Sequence, residues 1–524
     1  MLKEYLENQF KTFYNTLNKN FGVVPTYDTM PSNDELMAMP NNTEFVCRGY
    51  YDKLDNSGGR YIITLTWTAP SRKIVVDKKT RYLVPICNPN GANNKMEIEL
   101  NRLGLRPHNE NLSETELTVD NTYAKDNSDM MDSLIGGEMG ITFKIPKGRY
   151  FFERPISLIS RQTTLLGDSH TFARSSAALT YNNVLISGTQ LCFPFLTDGQ
   201  SAIAGAFGGI ENIAILGNRN TYDFHIDRTK TITDPENVVQ ETIAEKDGAQ
   251  IKCTGISASI GLWRNVTVNN FYNGIVVPVS NTYMTDIMCN RCHFGLSIAN
   301  DNKCKGIYGW DCHTLLKVTG SIASAIQVRV DSCVNAVNIV GGVAGTTLID
   351  VDGDYCTDSL IKIGDDNSTW SNVRNCTFLG LHGRCCALKS YNTKTDKKPN
   401  ASELTMSNSS GYGIIRVMPN CNFHSNYIQI TTLQGNPFDE SGDYLTPPIL
   451  FTFNTNGIVK LNQFLINDVN IVNSAEYIKS LIQTKSDVTT KLETSVGIYQ
   501  IETNVDKYIT EGEAMQYLQQ PQTK

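Results

Sequence analysis

A phrase of about 21 residues recurs through the middle of the chain and constrains the fold more than any other feature. Each copy carries one anchor residue, and consecutive anchors are separated by 21, 20, 21, 23 and 20 residues. The anchors are Phe271, Cys292, Cys312, Cys333, Cys356 and Cys376. Self-similarity at a short fixed period is typical of repeat architectures, in which each repeat packs on its neighbours. The repeat therefore predicts a solenoid.

Hydropathy within each copy indicates what the repeat is made of. Apolar or small residues stand five and three places before the anchor, as at Val266 and Val268. This period of two predicts short strands with one inward face. Asn270 and Asp311 lie next to anchors, where tight bends favour these residue types. The pattern predicts an all-β parallel solenoid whose equivalent residues stack about 4.8 Å apart.

Two Cys-His pairs, Cys292-His293 and Cys312-His313, raise the question of a metal site in a chain with 14 cysteines. Zinc sites need clustered ligands at spacings such as C-x₂-C, and these pairs are 20 residues apart. The repeat instead stacks the five anchor cysteines in one column inside the coil, as reduced thiols. His293 and His313 follow their anchors and are predicted to be surface residues.

Composition and charge exclude several classes of protein. The chain has 524 residues, a formal net charge of -7 and a pI of about 5.6, so broad binding to nucleic acids or anionic membranes is not expected. No apolar run approaches the roughly 20 residues of a membrane span, and membrane insertion is not expected. The N-terminal segment carries acids and no signal-peptide core, which predicts synthesis in a cytoplasm where thiols stay reduced.

The chain is predicted to contain five regions. An apolar stripe of Leu6, Phe10, Phe13 and Leu17 indicates an N-terminal helix that packs or self-associates. A polar stretch near residue 111 indicates a linker, and the chain end from about residue 473 has a more helical pattern. The predicted regions are an N-terminal helix (1–22), a β-rich head (23–110), a linker (111–136), the solenoid (137–472) and a partly helical tail (473–524).

Two motifs resemble a known class of proteins. "ITFKIPKGRYFFERPISLISRQTTLLGDS", from Ile141, is similar to the opening coil of pectate-lyase-like right-handed parallel β-helices. "RGYYDKLDNSGGRYIITLTW", from Arg48, resembles an element that often precedes such β-helices in bacteriophage tailspikes, with its glycine run reduced to Ser57-Gly58-Gly59. Together the resemblance covers roughly residues 45 to 470. It implies an all-β, right-handed parallel β-helix in a phage tail protein.

The tailspike resemblance also implies functional properties. It implies a homotrimer in the virion tail, with an N-terminal part that docks on other tail or baseplate proteins and a shaft that binds host-surface glycan. Many members depolymerise that glycan by hydrolysis or β-elimination, and others only bind it. No cofactor is expected, except calcium if the protein is a lyase. Two alternatives are a non-enzymatic structural or adhesion protein of the tail and a cellular polysaccharide lyase or hydrolase.

The repeat itself indicates where a glycan could bind. Positions four and two before each anchor should face outward, because positions five and three face inward. On the middle coils these positions carry rings, carboxylates and guanidinium groups, which suit sugar recognition. The predicted substrate-binding residues are Tyr308, Trp310, Arg329 and Arg374, and the predicted catalytic residues are Asp331, Asp354 and Asp352.

The carboxylates on this face have the spacing that glycoside hydrolysis needs. Asp331 and Asp354 should lie on adjacent coils about 5 Å apart, and retaining or inverting hydrolases use carboxyl pairs at roughly 5 to 9 Å. Asp331 and Asp354 are therefore the predicted acid/base pair. In the alternative interpretation, the face is an ordinary solvated wall with cross-strand Arg–Asp pairs, and the site lies in a groove between subunits.

Overall fold

The computed structural model places 26 segments of the chain. They are 24–52, 57–66, 71–86, 96–108, 122–135, 141–158, 163–168, 170–174, 184–205, 208–217, 224–226, 239–241, 251–258, 261–278, 280–331, 333–354, 356, 358–365, 370–384, 414–434, 451–453, 455–466, 469–470, 482–484, 489–494 and 497–502. The predicted N-terminal helix (1–22) lies outside them. Within these segments no helix is long and apolar enough to cross a membrane.

The chain divides into two compact units. The first comprises Met1–Cys192 and Gly205–Ile213, and the second comprises Phe193–Ala204 and Ala214–Lys524. The strands Ser201–Gly205 and Gly209–Leu216 contain points at which the chain passes from one unit to the other.

The first unit contains a six-stranded, mainly antiparallel sheet. Its strands, in spatial order, are Thr26–Tyr27, Thr43–Cys47, Gly59–Thr64, Lys79–Pro85, Ser71–Val76 and Leu134–Ile135. Helix α1 (Asn33–Ala38) begins with a capping box between Ser32 and Glu35 and buries Leu36 against the sheet. Gly58 packs directly against the backbone of Arg48, and a Cβ at this position would clash with the Arg48 carbonyl. The sheet therefore has its own apolar core.

Parallel pairing begins in the first unit, upstream of the predicted boundary at residue 137. Met96–Glu99 pairs with Ile141–Ile145, which pairs with Thr164–Gly167, while Gly148–Phe151 pairs with Val184–Cys192. The remaining strands of this unit are Ile156–Leu158 and His170–Arg174, and a 3₁₀ turn spans Leu100–Leu103. The predicted boundary is wrong because a four-residue strand is too short to show the repeat.

Helix α2 (Ala124–Ser133) lies in the segment that was predicted to be a linker. Its buried side includes the polar Asn127, whose amide bonds the backbone of Arg106 and of Phe151. Hydropathy alone therefore misses the helix, because a hydrogen-bonded amide takes the place of an apolar residue on its inner face.

The second unit contains a right-handed parallel β-helix built from alternating long and short strands. We number its regular coils 1 to 6 by their long strands, which are Leu262–Asn269, Tyr283–Asn290, Lys303–Trp310, Ser324–Asp331, Thr347–Asp354 and Ser371–Arg384. The short strands of these coils are Asn273–Val277, Phe294–Ile298, Thr314–Val318, Asn335–Ile339, Ser359–Ile363 and Ile415–Val417. Each strand pairs in parallel with its equivalent on the next coil. The predicted solenoid is therefore confirmed.

Left-handed backbone at fixed places gives each coil its shape. One such residue kinks each long strand at the equivalent positions Asn265, Asp286, Gly306, Gln327, Asp350 and Gly380. A second set precedes the long strands at Asn281, Asp301, Ile322 and Gly345, with Asn375 at the equivalent position inside Ser371–Arg384. A third set follows the long strands at Asn270, Arg291 and Asp311. Asn, Asp and Gly dominate these positions because they adopt positive φ at low cost.

The interior of the coils is apolar and contains thiols, as predicted. The eleven described cysteines are free and buried. Cys292, Cys312 and Cys333 stack on successive coils, with the backbone N–H of Cys312 lying 3.4 Å from Sγ of Cys333. Burial raises the pKa of the Cys292 and Cys333 thiols. These cysteines therefore act as small core residues.

The prediction that Cys376 stacks with the other four anchor cysteines is wrong. Thr347 pairs with Thr377, so Cys376 stacks beside Thr346 and not beside Cys356. Its coil has a different phase because Ser371–Arg384 joins two strands around the left-handed Asn375. The first part of that strand, residues 372–374, pairs with Gly342–Ala344.

The end of the second unit also differs from the prediction. The described residues after 473 form the strands Ile482–Thr484, Thr489–Thr494 and Gly497–Glu502 where a partly helical tail was predicted. The first two extend the sheets of the β-helix, and this pairing overrides a local helical pattern. The other strands are Phe224–Ile226, Val239–Glu241, Thr254–Ala258, Cys421–Gln434, Phe451–Phe453, Ile458–Leu461, Phe464–Ile466 and Val469–Asn470.

Candidate functional site

Two columns of outward positions run along the long strands of coils 1 to 6. The tyrosine column consists of Thr267, Met288, Tyr308, Arg329, Asp352 and His382. The tryptophan column consists of Asn269, Asn290, Trp310, Asp331, Asp354 and Arg384. The residues between the columns face inward and are buried, as Cys289 and Val330 illustrate. The strand register thus creates one continuous polar and aromatic face.

Six of the seven predicted site residues lie on this face. Tyr308, Arg329 and Asp352 are consecutive in the tyrosine column. Trp310, Asp331 and Asp354 are consecutive in the tryptophan column, beside them. Neighbouring strands lie about 4.8 Å apart, so these residues share a surface that a few sugar units could span.

Arg374 does not belong to this face, which corrects its prediction. The residues that pair with Asp352 and Asp354 are His382 and Arg384. Arg374 instead pairs with Ala344 on a separate short strand, six residues before the kink at Gly380. Its prediction took Cys376 as the equivalent of Cys356, and the two cysteines occupy different corners of their coils.

An ion network connects three residues of the tyrosine column with Asp350, the left-handed residue of coil 5. The Arg329 guanidinium donates to Asp352 Oδ2 at 2.8 Å and to Asp350 Oδ2 at 3.4 Å. His382 Nε2 lies 3.8 Å from Asp350 Oδ1. The Asp352 side chain is 14% exposed and that of Arg329 is 48% exposed. Arg329 therefore holds two carboxylates on coil 5 and keeps part of its own surface open to a ligand.

Trp310 lies at the middle of the tryptophan column and is half-buried. The guanidinium carbon of Arg291 is 6.0 Å from the centre of its ring, a cation–π contact at the limit of the useful range. Tyr308, two residues earlier on the same strand, is also half-buried. Both rings thus keep part of their surface available on one coil.

Asp350 and His382 lie beside the predicted residues on this face, and the sequence interpretation missed both. Asp350 occupies the left-handed kink, which presents its carboxylate on the outer face beside Asp352. The signal for this position is a residue of Asn, Asp, Gly or Gln type six places before the anchor, as at Asn265, Asp286 and Gly306. No such signal pointed to His382, because the sequence interpretation aligned coil 6 on Cys376, and Cys376 is not equivalent to the other anchors.

His293 and His313 form a stack on the short-strand side, where a surface position was predicted. The ring of His293 lies 4.6 Å from that of Tyr272 at an angle of 6° and 4.4 Å from that of His313. Both histidines are half-buried, and the coil repeat brings their rings into register, in a stack that the sequence interpretation did not predict. Across the described segments, no group of three or more His, Cys, Asp and Glu side chains could hold a metal ion.

Comparison with known proteins gives matches among solved structures. No family model matches the chain, and no curated protein matches it. The enzymatically active domain of tailspike protein 2 from bacteriophage CBA120 is 10% identical, with a TM-score of 0.43, over 92% of this chain and 59% of its own. This chain thus spans about three fifths of that structure's length.

Two further structures represent different proteins. A tailspike from Acinetobacter baumannii bacteriophage Fri1, described as a capsular polysaccharide depolymerase, is 11% identical, with a TM-score of 0.34, over 95% of this chain and 79% of its own. The DFA-IIIase of Arthrobacter chlorophenolicus is 12% identical, with a TM-score of 0.37, over 68% of this chain and 84% of its own. The solved structures to which this chain is similar therefore include bacteriophage tailspike proteins.

Proposed function

We propose that the protein is a bacteriophage tailspike that binds a host-surface polysaccharide along the outer face of coils 3 to 5. The observation that carries this proposal is the register that stacks Tyr308, Arg329 and Asp352 beside Trp310 and Asp331. Rings offer surfaces for the apolar faces of sugars, and ionised groups form strong hydrogen bonds with hydroxyls. Glycan units that run along the coil axis would meet these groups in succession.

We further propose that the same face hydrolyses the bound glycan. Asp331 and Asp354 pair in register on adjacent coils and would act as the acid/base pair. Arg329 holds Asp352 and Asp350, so these two carboxylates would position the guanidinium and the substrate. In the alternative, β-elimination with calcium, Arg374 would not be the base, because it lies away from this face. Arg384, which pairs with Asp354, is the basic residue that this alternative would require.

Three variants test the function. Trp310→Ala should weaken glycan binding by at least about 10-fold, as expected for the loss of an aromatic contact. Asp331→Asn and Asp354→Asn should each lower turnover by more than about 100-fold and leave binding nearly intact, as expected for a lost proton-transfer group. Reducing-sugar release measures hydrolysis, and absorbance of unsaturated uronates measures elimination.

Controls separate a site effect from a folding effect. Asp286→Asn alters an exposed carboxylate at the kink of coil 2, outside the two columns, and should leave binding and turnover unchanged. Thermal melts of every variant check the fold. If wild type binds glycan but the two Asp variants turn over normally, the catalytic assignment is wrong. If Trp310→Ala also binds like wild type, the site must be sought in a subunit groove or in the 225–248 segment.

We propose that the protein is a homotrimer located in the virion tail, with residues 1–22 contributing to assembly or to docking on other tail or baseplate proteins. A third outward column supports association of shafts. It is polar at Arg264, Thr285 and Lys305 and becomes apolar at Ile326, Ile349 and Leu379. These three apolar residues are half-buried, and contact with a second copy of the chain would remove them from water.

A further inference from the structure

The outer face of coils 1 and 2 contains buried polar side chains. Thr267 in the tyrosine column is 1% exposed, and Asn290 in the tryptophan column is 0% exposed. Strand alternation directs both outward, because Val266, Val268 and Cys289 fill the interior. These two residues therefore continue the proposed glycan-binding face beyond Trp310, and they are buried on its outer side.

Asn290 has no hydrogen-bond partner for its side chain within the described segments. Both Oδ1 and Nδ2 are unbonded, as are Oγ1 of Thr267 and Oδ1 of the neighbouring Asn269. A buried, unsatisfied polar group destabilises a folded protein by roughly 1 to 3 kcal/mol. Nearly all buried polar groups are bonded, so a group of unbonded ones is typical of a functional surface.

The register places these groups beside the aromatic part of the proposed site. Asn290 pairs with Trp310 on coil 3 and with Asn269 on coil 1. Trp310 and Asn269 are half-buried, so a ligand would reach the amide past these two side chains. A carboxamide donates two hydrogen bonds and accepts two, which matches adjacent sugar hydroxyls.

The charge of the face decides which kind of sugar suits it. Thr267, Asn269 and Asn290 are uncharged, and the nearby guanidinium of Arg291, 6.0 Å from the centre of the Trp310 ring, is buried. On coils 4 and 5, the carboxylates of Asp331, Asp350 and Asp352 outnumber the one guanidinium of Arg329. Like charges placed together across an interface oppose binding, so this face disfavours uronates and other acidic sugars.

We propose that coils 1 to 3 form a subsite for an uncharged sugar unit. Its hydroxyls bond to Asn290, Asn269 and Thr267, and its apolar face contacts Trp310. This subsite extends the proposed glycan-binding function and rests on it. The unbonded amide is then a group that lowers the stability of the free protein and is satisfied when glycan binds.

Two near-isosteric variants test the subsite. Asn290→Leu and Thr267→Val remove the polar atoms and retain most of the volume. Each should weaken binding of an uncharged polysaccharide by at least about 10-fold, measured by titration calorimetry with the best uncharged ligand from a bacterial glycan array. Neither should lower the melting temperature, because an unsatisfied buried group has been removed.

Asn302→Leu is the matched control. Asn302 is also 0% exposed, but its Oδ1 accepts a hydrogen bond from the backbone N–H of Thr282 at 2.9 Å. This variant should lower the melting temperature and should bind glycan within about twofold of wild type well below that temperature. Comparing Asn302→Leu with Asn290→Leu therefore separates an amide that stabilises the fold from one that binds the ligand.

The outcomes distinguish the two proposals. If the tightest ligands are acidic, or if Asn290→Leu and Thr267→Val bind like wild type while Trp310→Ala binds weakly, the uncharged subsite is wrong and the binding face stands. If no glycan binds, or if Trp310→Ala also binds like wild type, the proposed glycan-binding function at this face is wrong as well. Uncharged ligands with losses in all three variants support both.

Discussion

At the scale of single residues, backbone strain is concentrated at Ile322. Its φ is 59°, and its side chain is 65% exposed. A β-branched residue rarely adopts this conformation, and a left-handed backbone costs an L-residue about 1 to 2 kcal/mol. The equivalent corners of other coils carry Asn281, Asp301 and Gly345. Ile322 is thus the one β-branched residue among the described positive-φ residues.

Replacing Ile322 with Asn should therefore stabilise the protein. We expect a gain of about 1 kcal/mol, because Asn adopts the left-handed region more easily. In a chain of this size that gain should raise the melting temperature by about 1 to 2 °C in differential scanning calorimetry. Ile458→Asn is the control, since Ile458 is also exposed but lies in an extended strand. A lower melting temperature for Ile322→Asn would show that the strain is offset by contacts of the isoleucine.

Buried thiols lead to a second prediction at this scale. Burial raises the pKa of Cys253 to about 11 and that of Cys192 and Cys421 to about 12. All eleven described cysteines are buried, so a disulfide reagent at pH 8 should not reach them, and the raised pKa values lower the thiolate fraction of these three further. At most Cys87, Cys385 and Cys386 should react quickly in native protein, and all 14 should react in urea. Fast reaction of more than three thiols would contradict the closed interior.

At the scale of elements, the sequence predicted strands and their stacking better than where each element begins. Inward positions such as Val266 and Val328 followed from alternation, because a side chain on one face of a strand must be apolar to enter the core. The left-handed kink before them shifts the alternation by one residue. The carboxylate of Asp350 was missed for that reason. In Ser371–Arg384 two strands merge, and no local pattern shows which half continues the ladder.

The ring stack of Tyr272, His293 and His313 should make stability depend on pH. Desolvation lowers the pKa of His313 well below its usual 6.5, and His293, Lys362 and Lys317 lower it further. An unfolded His313 binds a proton near pH 6.5, whereas the folded one does not. Its contribution to stability is therefore complete above pH 6.5 and declines as the pH falls below that value.

The measurement is a melting curve at pH 7 and at pH 5. The melting temperature should fall between these values, and one uncompensated proton over that window changes the free energy of unfolding by at most about 2 kcal/mol. His313→Phe keeps an aromatic ring in the stack and removes the titrating group. Its melting temperature should fall less than that of wild type. An equal fall in both proteins would assign the pH dependence to other groups.

At the scale of the whole molecule, the fold followed from the sequence and the extent of the solenoid did not. A repeat of fixed period specifies a stack of coils, because each copy can bury its apolar face only against the next. The first strand, Met96–Glu99, has four residues and no repeated phrase around it, so its pairing with Ile141–Ile145 could not be read from a pattern. The face proposed to bind glycan was predictable on coils 3 to 5, where the phase of the repeat was right.

The proposed homotrimer gives the last prediction. Light scattering of the purified protein should give three times the monomer mass of 58.2 kDa. Ile349→Asp places a charge in the middle of the apolar column formed with Ile326 and Leu379, and burying that charge between copies would cost several kcal/mol. This variant should therefore dissociate at micromolar concentration, whereas Lys305→Asp, in the polar part of the same column, should keep the trimer mass.

A circular-dichroism spectrum with unchanged strand content would show that Ile349→Asp acts on assembly and not on folding. Deleting residues 1–22 should reduce virion attachment more than it reduces the strand signal. If wild type has the monomer mass, the trimer proposal is wrong, and the apolar column then needs another partner. If wild type is a trimer and Ile349→Asp retains its mass, copies associate through a different face, because a charge buried at the interface could not be tolerated there.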